Sequence, residues 1–499
     1  MAATESVLDV LIIGAGLSGI NAAYRLQTEM PGRSFAIVDS RDAIGGTWDF
    51  WKYPGFRTDS AMALFGFSWY PWPHVVSMAE GPQIQKYIED AAAAEGIDKK
   101  IRFRNRVTAA SWSTNEQRWT VSVDVRQKDG SVEKQVLKVS WLIGAGGYYD
   151  YEKPLQVTIP GIERFGGEVV HPQFWGDEVS YDGKRVVIIG SGATAVTLLP
   201  SLAKTAKSVT MLQRSPSYVA SRPRKDYGFP WLEKFLPLSW TRTLNWWRRM
   251  FIETFAVWLL YTFPNFGRKG LVEGMRRQLP KSFDVDKHFN PRYDPFTQRL
   301  CFCPGGDFFK ALNQPNAHVV TDIIETVTET GIQLKSGETL EADMIITATG
   351  LYLVLLSGIV MTVDDVRVDQ DLGKRFIWNS VMLEGIPNAG VVHGYTAATW
   401  TPGADVRTRK MFKVMRRMDE LGASSAMPYL GEEERVKLPQ KPALNLSSTY
   451  IVTARDRVPM SAGVGPWRMG NNWLSDVLNL NFGSMAGIQY GTADKSKDD

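Results

Sequence analysis

The chain has 499 residues, 44% hydrophobic and 22% charged, which is enough apolar material for two or three packed cores and too much for a disordered polymer. A net charge of +4 is too small an excess to indicate nucleic acid as a partner. Two cysteines one residue apart, Cys301 and Cys303, and five scattered histidines with no HExxH pattern argue against a structural disulfide and against a metal site, and point to a reducing compartment.

The opening MAATESVLDVLIIGAG runs into an apolar strand without a basic, long apolar, cleavable leader, so the expected location is cytoplasmic. LDVLIIGAG predicts a buried parallel strand that breaks at Gly14, Gly16 and Gly19, and the following INAAYRL has helical composition. Such a turn lets a pyrophosphate approach backbone N–H groups at the positive end of a helix, with Leu17 and Ser18 at its start. The next strand, SFAIVDS, places Asp39 twenty-five residues beyond Gly14, where a carboxylate accepts hydrogen bonds from an unphosphorylated ribose.

In RDAIGGTWDFWKYPGFRTDS, the residues Gly45, Gly46, Pro54 and Gly55 exclude a regular helix and predict a loop threaded closely around a ligand, with Gly46, Thr47 and Trp48 against it. Trp51 and Phe56 are expected to anchor that loop, and Asp59, an acid among aromatics, needs a cationic partner. Val107 is assigned to the same nucleotide site. WLIGAGGYY (141–149) and DMIITATG (343–350) are apolar strands ending at small residues, where backbone can approach a cofactor.

After a turn at Asp182 and Gly183, the strand, turn and helix recur in KRVVIIGSGATAVTLLPSL, with Gly190, Ser191, Gly192, Ala193, Thr194 and Ala195 forming the turn and helix start. The strand that follows ends not on an acid but on Arg214, twenty-four residues beyond Gly190, with Ser215 beside it. A guanidinium there suits a 2′-phosphate. The economical assignment is FAD in the first site and NADPH in the second.

From 220 to 295 the composition shifts to Trp, Arg, Phe and Leu at helical spacing, broken by Pro230, Pro237 and Pro264, which predicts a helical insertion. Its most apolar stretch, FIETFAVWLLYTF (251–263), carries Glu253 and falls short of the ~20 residues that span a bilayer, so a buried or tunnel-lining helix is expected. Arg248 and Arg249 just upstream leave a weak membrane-surface association open. GYTAATWT, around Trp400, suits a pocket wall and a core equally, and the polar tail ADKSKDD is expected to fray. The expected fold is α/β, with an FAD-binding Rossmann-like domain at 1–152 and 352–499, an NADPH-binding one at 153–219 and 296–351, and the insertion at 220–295.

Ahead of the second fingerprint lies FGGEVVHPQFW, with Phe165, Gly167, His171 and Trp175 in an FxGxxxHxxxW pattern. Together with two Rossmann fingerprints, this resembles the signature of type I Baeyer–Villiger monooxygenases. Related amine-oxidising flavin monooxygenases usually carry Tyr or Phe in place of Trp175. HPQFW, IGSGATAVTLLP, VTMLQRSPSY, TQRLC and IITATGL resemble most the ethionamide-activating group, and the likeness runs from Gly14 to about Arg468. It implies that Arg299 in TQRLC is the catalytic arginine, that Asp59 is its carboxylate partner, and that His171 couples domain movement instead of reacting.

An independent physical case supports the arginine. An attacking peroxide and the oxyanion it creates both need a fixed cation that is not itself a proton source. The implied reaction is reduction of FAD by NADPH, addition of O2 at the flavin C4a carbon, and attack of that peroxide on a small apolar ketone to give an ester or lactone. Oxygen transfer to a thioether or amine is the alternative. Three departures from the family pattern stand out: Gly176 after Trp175, Asp39 where Glu is commoner, and Gln298 where many relatives have a lysine for the NADPH phosphate. A flavin disulfide reductase would need its cysteine pair beside the flavin, whereas CxC starts at residue 301; a non-catalytic nucleotide-binding protein would need no Arg299.

Overall fold

A computed structural model describes residues 7–444 and 446–492 of the chain; the tail ADKSKDD, expected to fray, lies outside the described residues. Strand β1 (Leu8–Ile13) is apolar at every position but Asp9, the pattern of a strand covered on both faces, and Val10, Leu11 and Ile12 are fully buried. Successive side chains point to opposite faces. Thus Val10 and Ile12 pack with Ile20 and Phe412, and Leu11 packs with Trp112 and Trp119.

Helix α1 (Leu17–Glu29) returns the chain to β2 (Phe35–Val38), parallel to β1. The glycine-rich segment holds a one-turn helix, α2 (Thr47–Phe50), capped by Gly46, so the loop expected there is not wholly irregular. Glycine forbids a long helix but not a single turn entered at the positive φ of Gly46, +55°. Short α3 (Met62–Phe65) and α4 (Gly81–Ala94) precede β3 (Ile101–Arg102) and an antiparallel meander, β4 (Asn105–Ser113), β5 (Arg118–Arg126) and β6 (Val132–Gly144). The far end of β6 runs parallel to β1, bringing Gly144 beside Ile13.

The linking segment is itself partly structured. Residues 168–170 form β7 (Glu168–Val170), an edge strand of a second sheet, followed by β8 (Arg185–Ile189), α5 (Ala193–Leu202) and β9 (Ser208–Gln213). β10 (Val219–Arg222) leads into α6 (Leu238–Thr262), α7 (Pro264–Arg276) and α8 (Val285–Phe289), and β11 (Cys301–Pro304) returns parallel to β10. Next come α9 (Asp307–Leu312), β12 (Ala317–Thr321), a meander of β13 (Ile324–Thr328), β14 (Gly331–Leu334) and β15 (Thr339–Glu341), and β16 (Met344–Thr347). The second sheet has the order β12-β9-β8-β16-β7, all parallel. β17 (Val360–Val363) and β18 (Val366–Arg367) then rejoin the first sheet, and α10 (Trp400–Leu421) packs against α1. Two parallel-strand α/β units in one chain are the expected fold class.

Helix α6 meets the tunnel-lining expectation on one face only. Of its 25 residues only Thr241 and Met250 are buried. One face lines the central cavity through Ile252, Glu253, Ala256 and Leu260, as a tunnel-lining helix would; the opposite face is exposed. The physical reason is that both faces are apolar, so periodicity alone does not say which one turns inward. Arg248 and Arg249, proposed from sequence as surface contacts, both pair with the buried carboxylate of Asp226. Among the described residues, no helix is long and apolar enough to cross a membrane.

Candidate active site

The two turns are built alike. At Gly14, φ is +110° and an added Cβ would lie 2.7 Å from the Ala145 carbonyl oxygen; at Gly190, φ is +133° and the distance to the Ala348 oxygen would be 2.2 Å. Only glycine satisfies these positions. Gly19 allows the helix to lie on the strand, since a Cβ there would meet Gly14 O at 1.8 Å. Ala195 takes the corresponding place in the second turn and is fully buried.

The middle glycines differ. Gly16 has nothing nearer than 3.6 Å to its absent Cβ, and Gly192 has nothing within 4 Å. These residues are the N-caps of α1 and α5, and neither helix has a side-chain cap. Each turn therefore leaves helix N–H groups without a side-chain cap, beside open space at Gly192 and beside Gly46 at Gly16, the arrangement that fits a pyrophosphate.

At the end of β2, Asp39 accepts hydrogen bonds from the N–H of Ala15 at 2.7 Å and of Arg41 at 2.9 Å. They fix the carboxylate while leaving each oxygen a further lone pair for a ribose hydroxyl. Burial raises the Asp39 pKa, opposed by those two N–H groups.

A cavity of about 960 Å³ runs from this turn to the centre of the molecule. Gly14, Gly16, Leu17, Ser18 and Asp39 line one end; Gly46, Thr47, Trp48, Asp59 and Val107 line its flank; Ala193, Thr194 and Arg299 close the other side. Trp48 stacks on Phe56 at 5.0 Å, and the Thr47 hydroxyl lies 3.1 Å from that of Tyr151. The Ser18 hydroxyl accepts a 2.9 Å hydrogen bond from the indole of Trp400, which also lines the cavity. GYTAATWT is thus wall and not merely core. Gly19, Gly190, Ser191, Gly192, Ala195, Arg214, Ser215 and Gln298 do not line it. Arg214 and Ser215 are exposed beyond β9, Arg214 reaching the Thr449 hydroxyl at 3.5 Å, and Ser191 bonds Ser217 at 2.8 Å.

Arg299 and Asp59 share the cavity but form no ion pair. The Arg299 guanidinium donates to the hydroxyl of Tyr148, its Nε is buried without a partner, and Asp59 accepts from Ser60 Oγ at 3.2 Å. The direct partnership expected between them is therefore replaced by a tyrosine contact. Tyr148 follows Gly146 and Gly147 just beyond the end of β6, and its hydroxyl, not the carboxylate of Asp59, is the group that meets the guanidinium. The Arg299 pKa is held well above its ordinary value by Tyr148, Tyr149 and Tyr450, ahead of Asp59, so the group is a permanent cation. Tyr148 in turn stacks on Trp400 at 5.4 Å. Tyr148 and Tyr149 are site residues that the sequence pattern alone does not single out, although their place just after a strand ending in small residues is a signal; Tyr450 lies in the short helix Thr449–Val452 and carries no such signal.

His171 caps a short turn, its Nδ1 accepting from Gln173 N at 3.2 Å, and burial lowers its pKa. It does not line the cavity, consistent with a role other than proton transfer to substrate. Cys301 and Cys303 are both buried and free. Among the described residues, no group of three or more His, Cys, Asp or Glu is placed to hold a metal.

Two glycine turns of the same build, the first of them lining the cavity, agree with the comparisons. The profile of the flavin-binding monooxygenase-like family matches residues 8–263, and the chain belongs to that family. It is a flavin-dependent monooxygenase. It is 42% identical to the FAD-containing monooxygenase EthA of Mycolicibacterium smegmatis, over 95% of this chain and 94% of that one. It is 39% identical to the probable FAD-binding monooxygenase AlmA of Acinetobacter baylyi, over 95% and 93%. An oxidised steroid monooxygenase bound to NADP shares the fold, with a TM-score of 0.74 at 19% identity across 97% of this chain and all of that one.

Proposed function

We propose that this enzyme is of the Baeyer–Villiger type: it consumes NADPH and O2 to insert one oxygen atom beside the carbonyl of a small apolar ketone, giving an ester or lactone. The observation that carries this reading is a half-buried guanidinium, Arg299, in the same cavity as the first glycine turn, a group that keeps its charge at any working pH. Residues 1–152 and 352–499 would hold FAD, residues 153–219 and 296–351 NADPH, and 220–295 the insertion.

When bound, FAD reduced by NADPH supplies the activation of O2. Gly14, Gly16, Leu17, Ser18 and Gly19 with the N-terminus of α1 receive its pyrophosphate, Asp39 its ribose, and Gly46, Thr47, Trp48 and Val107 the cavity-facing portion. Gly190 to Ala195 offer the second pyrophosphate site. Arg214 and Ser215 receive the 2′-phosphate, with Gln298 supplying no charge there. Arg299 stabilises the negative oxygen that develops on the substrate carbonyl, without donating a proton, and Tyr148 orients it. Asp59 adds a longer-range negative charge that keeps the guanidinium in the cavity. The apolar walls, among them Trp48, Phe65 and Trp400, exclude water that would quench the reacting anion.

Purified enzyme given NADPH, O2 and a panel of ketones and thioethers is expected to convert ketones to products sixteen daltons heavier whose connectivity is that of an ester. Products confined to sulfoxides would overturn the ketone reading in favour of heteroatom oxygenation.

Arg214→Ala tests the second site. It is expected to raise KM for NADPH by roughly ten-fold or more, the worth of one charge-assisted phosphate contact, and to leave KM for NADH within about two-fold. Equal effects on both coenzymes in steady-state assays would remove Arg214 from phosphate recognition.

A further inference from the structure

We infer that the outer face of α6 seats the enzyme on the surface of an anionic phospholipid bilayer, with the helix lying along the surface. Trp240, Leu244, Trp247, Phe251, Phe255 and Trp258 recur at steps of three and four and form one outward stripe, each 41% exposed or more and Phe251 71%. Together they present about 700 Å² of apolar side chain, above what a soluble monomer ordinarily leaves uncovered. Phe235, 78% exposed, extends the stripe beyond the start of α6, and Phe266, 66% exposed, beyond its end. Trp473 packs its ring against Trp246 and Trp247 at 5.4 and 5.5 Å, so the helix Trp473–Phe482 widens the surface with exposed Leu474 and Phe482.

Charge decides what covers this face. Residues 220–295 hold fourteen Lys and Arg against seven Asp and Glu, a net of +7, while the whole chain carries only +4. The rest of the molecule is therefore net negative by three, and the positive excess belongs to the segment that carries the apolar stripe, with exposed Glu233 the one acid beside the stripe's start. Glu253 is the one acid on α6, and it is turned inward, accepting from the Thr399 N–H at 2.6 Å and its hydroxyl at 2.8 Å. Exposed Lys234 stands beside Phe235, and exposed Lys269 lies just beyond Phe266, one at each end of the stripe. A second copy of the chain would bring one basic, apolar face against another. An anionic bilayer accepts the aromatic rings at its interface and the lysines at its headgroups.

Because the opposite face of α6 lines the catalytic cavity, the bound enzyme would hold that cavity one helix diameter, about 10 Å, from lipid. The inference concerns binding alone and stands apart from the ketone reading.

The test is flotation of the full-length holoenzyme with phosphatidylcholine vesicles and with vesicles of equal phosphatidylcholine and phosphatidylglycerol. Binding to the anionic vesicles is expected to be at least ten-fold tighter than to the neutral ones and to weaken with added salt. Phe251→Glu combined with Phe255→Glu is expected to lose that binding ten-fold or more with an unchanged Tm. If that variant's Tm falls, Lys234→Glu with Lys269→Glu must abolish the preference for the anionic vesicles; a retained preference overturns the inference. So does failure of the wild type to float, or equal flotation by a folded Phe251, Phe255 variant. Vesicle-independent self-association of the wild type that the same variant dissolves into monomers also overturns it, and assigns the face to a second copy.

Discussion

Arg299→Ala is expected to leave flavin reduction by NADPH within about three-fold of wild type while lowering ester formation by roughly 10²–10³-fold, the usual effect of removing one preorganised charge from a developing oxyanion. The expectation separates two half-reactions because the guanidinium faces the cavity, not the second glycine turn. On the proposed assignment, hydride delivery would depend on the site built around Gly190 and Gly192, whereas oxygen insertion would need a cation where negative charge appears. Rapid-mixing bleaching of the oxidised flavin would read the first half-reaction, and product analysis the second. NADPH consumption without ester, with the reducing equivalents released as hydrogen peroxide, is the expected pattern; undiminished ester formation would remove Arg299 from its role. Tyr148→Phe should have a smaller effect, since it removes an orienting hydroxyl and not the charge.

The second large effect is a contrast between two glycines two residues apart. Gly190→Ala places a methyl 2.2 Å from the Ala348 carbonyl oxygen at a φ of +133°, and a loss of about 2–4 kcal/mol in stability is expected. Gly192→Val meets no protein atom within 4 Å at its Cβ and has an ordinary φ of −80°. It should therefore fold normally yet raise KM for NADPH ten-fold or more, because the space it fills is the space proposed for the pyrophosphate. Thermal melts and steady-state kinetics on the two variants check both halves. A Gly192→Val enzyme with normal NADPH kinetics would mean that the coenzyme does not use this turn.

What was legible in the sequence was local. A strand, a turn and a helix that must all agree within about twenty residues leave a strong imprint, so both glycine turns, Asp39 at the end of β2 and the α/β class are readable from the sequence. Arg214 was readable as a residue in position, though its exposed side chain shows why position alone does not prove a contact. The site's other half is non-local. Tyr148, Arg299 and Tyr450 come from three parts of the chain separated by 151 residues in both steps, and no period or spacing joins them. The direct Asp59–Arg299 pair failed for the same reason: compositional logic says that an acid needs a cation, not which cation lies near it. For α6, helical spacing identified the residues that share a face, but with apolar side chains on both sides only packing could assign one to the cavity and the other to the outside.

The two thiols carry a practical consequence. Cys301 and Cys303 are 3% and 0% exposed, and burial pushes the Cys301 thiol up to about 12, so at pH 8 its reactive thiolate fraction is on the order of one in ten thousand. The folded enzyme is in effect blank toward alkylating reagents. A single cysteine engineered on its surface would take up a fluorescent or spin label selectively, and the native pair need not be removed first.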